Sequence, residues 1–302
     1  MSSYTILADT SYDLPQEFVE KHNLKTIAIP FHLNGVTHEG GRWQEISDVD
    51  FYKALADGGT SGTTLINPEA FVQAFTESAK NNEELLVVLL SGGLSGTAQN
   101  AAIALQEVKE TYPDCKIHIV DSFNAAGGSG LVALLACKNR EAGMSAEENA
   151  KWLDEKKHSC LSLFTVDDLM YLHRGGRLSK LQAVAGSIIG IKPLLNVHPD
   201  GTLKLKDKAR GRKAALETLV SQMKRTLKPD TKLDTVVISH SNCLEDAEKV
   251  AELIRAGTEV NEIYLVMMGP VIGAHVGPGC IAMFFESDMD REEYEAKFYS
   301  KK

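Results

Sequence analysis

Two hydroxyl-rich stretches hold the residues best suited to chemistry. The first, "GGTSGTTLINPEAF" (Gly58–Phe71), places Thr60, Ser61, Thr63 and Thr64 in a loop ahead of a helical pattern. The second, "LSGGLSGTAQ" (Leu90–Gln99), places Ser95 and Thr97 among Gly92, Gly93 and Gly96, between a buried-strand pattern and a helical one. A helix start presents unpaired N–H groups and a positive dipole end, which together favour an anion. Glycines allow the backbone to come close to a ligand. Neutral hydroxyls at such a place suit a carboxylate, and they anchor it without burying a permanent positive charge beside it. Each stretch reads equally well as a polar loop that caps a helix.

Two alternatives for "SGGLSGT" are tested by single residues. A phosphate-cradling G-x-x-x-x-G-K-[ST] loop needs a lysine, and none is present. A nucleophile elbow needs G-x-S-x-G, but Gly93-Leu94-Ser95-Gly96-Thr97 has Thr97 in the last place. An esterase-like hydrolase built from Ser95, His275 and an acid such as Asp121 keeps an acceptable chain order without the elbow. A module for nucleotides or sugar phosphates built on the glycine-rich loops is a third class.

His275 lies in "VIGAHVGPGCIAMFF", a glycine-rich turn before an apolar strand. It reads either as a structural histidine or as a proton or phosphate partner near neutral pH. Basic islands stand out against the overall charge: Arg174 and Arg177 in "LHRGGRLSK", and Lys208, Arg210, Arg212 and Lys213 in "KDKARGRKAALETL". Lys206 and Lys208 fit a solvated helix face, whereas Arg210 precedes a glycine at a helix entrance.

The elements that must position these residues alternate between strand and helix patterns. Tyr4–Ala8, Lys25–Phe31 and Ile117–Val120 read as strands, and Leu85–Leu90 (LLVVLL) as a central parallel strand covered on both faces. Asn67–Lys80, Thr97–Glu110 and Gly128–Glu141 read as helices, Pro68 suiting a first helical position. Ser145 and Glu148 form a capping-box pattern. Beyond it the rhythm restarts with Leu161–Phe164, Asp167–Leu172, Ser187–Val197, a turn at 198–201, a basic helix from Asp207 to about Lys228, strands Thr235–Ser239 and Ile263–Val266, and a helix Leu244–Arg255. The expected fold is α/β, with mostly parallel sheets in two units, 1–160 and 161–302.

The chain has 302 residues, 43% hydrophobic and 24% charged, enough for a sizeable core in a globular protein. Its net charge of −9 argues against tracking nucleic acid over a broad patch. The first residues carry no signal-peptide pattern, and no apolar run is long enough to span a bilayer. Cys115, Cys137, Cys160, Cys243 and Cys280 are scattered without metal-ligand spacing, so reduced thiols, a cytoplasmic location and no metal are expected.

Taken together, several motifs resemble one family. "ILADTSYDLP" is similar to its D-[ST]-x-x-D-[LI] opening, "TSGTT" to its T-S-x-P-[ST] loop, and "LSGGLSGTAQNA" to its S-x-x-L-S-G-T segment. "DDLMYLHRGGRLSK", "GIKPLL", "KARGRKAA" and "GAHVGPG" follow in the family's order. The chain so resembles the DegV family, bacterial fatty-acid-binding proteins that serve as the binding subunit of fatty acid kinase, from about Ile6 to Phe285. The resemblance implies a two-domain α/β fold with one long-chain fatty acid, such as palmitate, stearate or oleate, in an apolar tunnel, and no cofactor. It implies a non-enzymatic carrier. A separate kinase subunit would bind ATP and convert the presented acid to an acyl phosphate, which feeds phospholipid synthesis. No stable membrane insertion is implied, and transient membrane contact is compatible with it.

Carried over residue by residue, Thr60 and Ser95 match the carboxylate-holding hydroxyls, with Ser61 and Gly96 beside them and Thr63, Thr64 and Thr97 as further candidates. Arg210 and His275 match the pair needed for kinase interaction and phosphoryl transfer, and Arg177 is a third basic group. Thr63 stands where the family has proline, and the loop is longer, which leaves open which hydroxyl of residues 60–64 touches the carboxylate. Phe31, Ile188, Ile189, Ile191, Leu194, Leu195 and Met268 are candidates for the tunnel wall.

Overall fold

A computed structural model describes residues 4–39, 45–186 and 190–299. Ile188 and Ile189 lie outside the described residues. The strands of the first half are β1 (Thr5–Asp9), β2 (Lys25–Ile27), β3 (Phe31–Leu33), β4 (Val36–His38), β5 (Ser61–Thr63), β6 (Leu85–Leu89) and β7 (Ile117–Asp121). Those of the second are β8 (Cys160–Thr165), β9 (Ile191–Val197), β10 (Leu203–Arg210), β11 (Leu233–His240), β12 (Val260–Met267) and β13 (Ile281–Glu286).

The α/β class stands. One sheet, ordered β2-β1-β6-β7, is parallel throughout. Its β6 is the "LLVVL" run, buried at every position as a strand covered on both faces must be. The second sheet, ordered β10-β9-β8-β13-β11-β12, departs from the parallel expectation, because only β11 and β12 pair in parallel. For β9 and β10 a short connection explains this. The four-residue turn at 198–201 joins β9 to β10 as a hairpin, and a hairpin forces antiparallel pairing.

The same hairpin corrects the basic helix expected from Asp207. Residues 207–210 pair with Ile191–Leu194 as the end of β10, and the helix is Arg212–Arg225. The alternating "LKLKDKAR" suits an edge strand, of which Lys208 and Arg210 are exposed. The expected Lys25–Phe31 strand also divides. Pro30, which has no N–H to donate, separates β2 from β3, and β3 joins β4 and β5 in a small antiparallel sheet. That small sheet carries Thr63.

The helix Gly127–Glu141 joins the two large sheets. Its first eleven residues, "GGSGLVALLAC", are all buried, as expected of a helix that is apolar around its whole circumference. It packs on β1 and β6 of the parallel sheet and on β8, β11 and β13 of the other. The helix Ala146–Lys156 starts at the expected capping box, with Ser145 and Glu148 each accepting the other's backbone N–H. The five cysteines are free thiols. Among the described residues no helix is long and apolar enough to cross a membrane, and no His/Cys/Asp/Glu cluster could hold a metal ion.

Candidate functional site

In the parallel sheet the chain moves from β1 outward to β2, then returns to β6 on the other side of β1. The crevice at the carboxyl ends of these strands is therefore a topological switch point, where open α/β sheets bind ligands. The structure has a cavity of about 340 Å³ there, within the range of small-molecule sites. One side of it is formed by Ile29, Leu90, Leu94 and Ala125, from loops that follow the parallel strands. The other side is one face of the second sheet.

Strand alternation decides which residues of that sheet meet the cavity. Ser162 and Phe164 of β8, and Cys280, Ala282 and Phe284 at and along β13, line it. Their neighbours Leu161, Leu163, Ile281, Met283 and Phe285 point into a separate core on the opposite face.

Several polar groups of the lining are bonded to one another or to nearby backbone. Thr63 Oγ1 and His275 Nε2 lie 2.8 Å apart in a hydrogen bond. Arg177 donates from Nε to the carbonyl of Leu94 at 3.0 Å and from Nη1 to the carbonyl of Gly175. Thr63, Thr64, Ser95, Arg177 and His275 all line the cavity, and Arg177 is its one permanently charged side chain among the described residues. Ser95 Oγ bonds Thr97 Oγ1 at 2.9 Å and accepts the Thr97 N–H at 3.3 Å, so it shapes the start of the fifteen-residue helix Thr97–Thr111. No acidic residue occupies the first turn of that helix, so nothing opposes an anion at its positive end.

His275 occupies the short helix Pro270–Val276, which Gly277 ends with φ +67° against the ring of Tyr171. A side chain at that position would meet both a disfavoured backbone and the ring. His275 Nδ1 is buried without a hydrogen bond and packs on Gly175, where a methyl group would have no room. Burial, reinforced by the Arg177 cation, pushes the imidazole down to about 4. His275 is thus neutral at physiological pH.

Two expected outcomes follow from this geometry. Thr63→Ala leaves both ring nitrogens of a buried histidine unpaired, and is expected to cost about 1–3 kcal/mol in urea unfolding, with Thr63→Ser recovering most of it. As pH falls from about 6.5 to about 4, the unfolded chain takes up a proton that folded His275 resists. Stability therefore falls across that window, by up to about 3 kcal/mol from this group. Burial raises the carboxyl pKa of Asp9 and of Asp121, and raised carboxyls give the opposite slope. The difference between wild type and His275→Gln in urea unfolding at pH 7 and pH 4.5 isolates the histidine.

The predicted residues divide into those brought together and those that are not. Thr63, Thr64, Ser95, Arg177 and His275 converge on the cavity, whereas Thr60, Ser61 and Arg210 are not among its lining residues. Thr60 is held at the β3–β4 turn, its N–H on Asn34 Oδ1 at 2.9 Å and its carbonyl on the Asn34 N–H at 2.8 Å. Ser61 pairs with Leu33 across the small sheet. Gly96 packs beneath Leu65, and Thr97 is fully buried behind Ser95. Arg210 is exposed at the end of β10. Of the candidate wall residues described, Met268 lines the cavity, while Phe31, Ile191, Leu194 and Leu195 do not. Phe31 instead stacks on His38 and meets the edge of Phe51.

The glycines expected to admit a ligand admit protein instead. Gly92 donates its N–H to Asp121 at 2.9 Å. Gly93 abuts the 198–201 turn so closely that a Cβ would lie 2.6 Å from the Gly201 carbonyl carbon. Ser91 Oγ donates to the Gly201 carbonyl at 2.8 Å, which clamps the serine loop to the second sheet. The acids of "ADTSYD" serve the same purpose. Asp9 accepts the N–H groups of Leu90 and Ser11, and Asp13 accepts that of Gly269. Both thereby fix segments that carry wall residues.

A hydrolytic triad is not assembled. Ser95 is bonded to Thr97, His275 to Thr63, and Asp121 to the N–H groups of Gly92 and Phe123. No proton path links the three.

A family model described as "Uncharacterised protein, DegV family" matches residues 3–288. A DegV domain-containing protein of Clostridium perfringens is 36% identical over 289 residues, which covers 95% of this chain and 99% of that protein. A DegV lipid-binding protein from Thermotoga maritima superposes with a TM-score of 0.83 at 28% identity, over 96% of this chain and 100% of the other. A second Thermotoga maritima protein, whose structure reveals a fatty-acid-binding function, superposes with a TM-score of 0.82 at 28% identity, over 95% and 100% of the two chains.

Proposed function

Because the chain belongs to the DegV family, we propose that it binds one long-chain fatty acid in the switch-point cavity, as a carrier and not as an enzyme. The observation that carries this reading is the make-up of the cavity wall: a mostly apolar lining that also holds Thr63, Thr64, Ser95 and Arg177. Each buried methylene contributes about 0.8 kcal/mol. A dozen therefore supply roughly 10 kcal/mol before the costs of association, enough for tight binding of the tail alone. The head needs only a few directed hydrogen bonds. Thr63, Thr64 and Ser95 would offer hydroxyls, and Arg177 would balance the carboxylate. Neutral His275 would orient Thr63 without adding charge. The lipid-binding and fatty-acid-binding Thermotoga maritima relatives support the ligand class.

Protein purified without detergent, extracted with organic solvent and examined by mass spectrometry, is expected to yield fatty acid in near-stoichiometric amount. Protein that yields none, and that also fails to take up added palmitate or oleate, contradicts the proposal.

The finer part of the proposal is presentation of the carboxylate to a separate kinase, which would make the acyl phosphate. Ser95 and Arg177 are only partly buried, which favours access from outside. Arg210, exposed and outside the cavity, would serve the partner and not the ligand. Arg210→Ala is therefore expected to retain fatty acid at wild-type level and to lose most acyl phosphate formation with the cognate kinase. Equal loss of both would make Arg210 part of the ligand site. In the same proposal the chain divides into units 1–160 and 161–302, with the ligand between them.

A further inference from the structure

We infer that Phe284 is the stop at the tail end of the cavity and sets the longest acyl chain that fits; this rests on the fatty acid reading above. The direction of the cavity follows from β13. Its wall residues Cys280, Ala282 and Phe284 stand two apart on one face, so the wall extends about 13 Å from Cys280 to Phe284. His275 lies just upstream of Cys280 and lines the cavity with Thr63 and Arg177. Along β13, Phe284 therefore lies at the end of the wall away from His275.

Phe284 is also held from behind. Its ring rests on the first turn of the helix Gly127–Glu141, where a Cβ added to Gly127 would lie 2.8 Å from Cδ2 and one added to Gly128 would lie 2.7 Å from Cδ1. Not even a methyl group fits between ring and helix. The ring cannot retreat unless the helix moves, and that helix is buried between the two large sheets. A wall residue backed by flexible side chains could yield to a longer tail, but this one is backed by backbone. Asn124, fully buried, fixes the adjoining corner through its bonds to the carbonyl of Cys160 and to Ser162.

The test is a series of saturated acids from decanoic to eicosanoic, measured by displacement of a fluorescent fatty acid. Each methylene that finds room raises affinity about fourfold. In wild type the rise is expected to stop at one chain length. In Phe284→Leu and Phe284→Ala it continues for at least two further methylenes, so the acid two methylenes beyond the wild-type limit gains about tenfold or more. Leu94→Ala, at the head end, is expected to leave the limit where it was. An unchanged limit in both Phe284 variants overturns the inference while the fatty acid reading survives. Failure of wild type to bind any acid of the series removes that reading, and the inference with it. Phe284→Leu keeps the test usable if Phe284→Ala fails to fold.

Discussion

Ala282→Trp is expected to lower fatty acid affinity at least 100-fold and to leave the apo protein as stable as wild type or more so. Ala282 is 3% exposed and faces the cavity between Cys280 and Phe284, opposite Phe164 of β8 and Ser239 of β11. An indole there occupies volume that an acyl chain would otherwise fill. Excluding six methylenes removes about 5 kcal/mol, more than a thousandfold in binding, so a hundredfold loss allows for partial rearrangement. Overpacking normally destabilises a filled core by 1–3 kcal/mol or so, but this side chain enters a space of about 340 Å³. Displacement of a fluorescent fatty acid measures the first effect and thermal unfolding without ligand measures the second. Retained affinity places the ligand elsewhere. A large fall in Tm shows that the indole has not entered the cavity.

The second large effect is expected at Arg177. If its guanidinium balances the carboxylate, wild type prefers a fatty acid to its methyl ester by the worth of a charge-assisted hydrogen bond, about 1.5–3 kcal/mol or 10- to 150-fold. In Arg177→Met that preference is expected to collapse while ester affinity is retained. The comparison matters because Arg177 also braces the carbonyls of Leu94 and Gly175. Loss of those bonds weakens the fold and affects acid and ester alike. Arg177→Lys keeps the charge without the planar fork and is expected to recover part of the preference. A variant that loses acid and ester equally assigns Arg177 a bracing role only.

These effects indicate what the sequence could and could not disclose. The parallel sheet was legible at "LLVVLL", because a strand buried on both faces has no polar alternation. The place of Ser95 at a strand-to-helix turn was legible from the glycines and hydroxyls between a buried-strand pattern and a helical one. The choice among Thr60, Ser61, Thr63 and Thr64 was not legible. All four residues offer a hydroxyl, and what separates them is the distant hairpin whose Asn34 holds Thr60 and whose β3 aligns Thr63 opposite Phe31. Strands of three residues have too little periodicity to announce such a sheet.

The cavity wall was hidden for a different reason. "CIAMFFE" is apolar on both faces, since one face of β13 meets the cavity and the other a core. Its pattern cannot say which is which. The glycines of "SGGLSG" were misleading in kind. Close approach is what Gly93 provides, and the backbone it approaches is that of Gly201.

In the proposed complex a fatty acid lies along β13 with its carboxylate at Arg177 and Ser95. A crystal structure of the protein with bound palmitate tests it most directly. Carboxylate oxygens are expected within hydrogen-bond distance of Arg177 and of at least one of Thr63, Thr64 and Ser95, with the chain passing Ala282 towards Phe284. A carboxylate found at the Phe284 end, or palmitate bound outside this cavity, would contradict it.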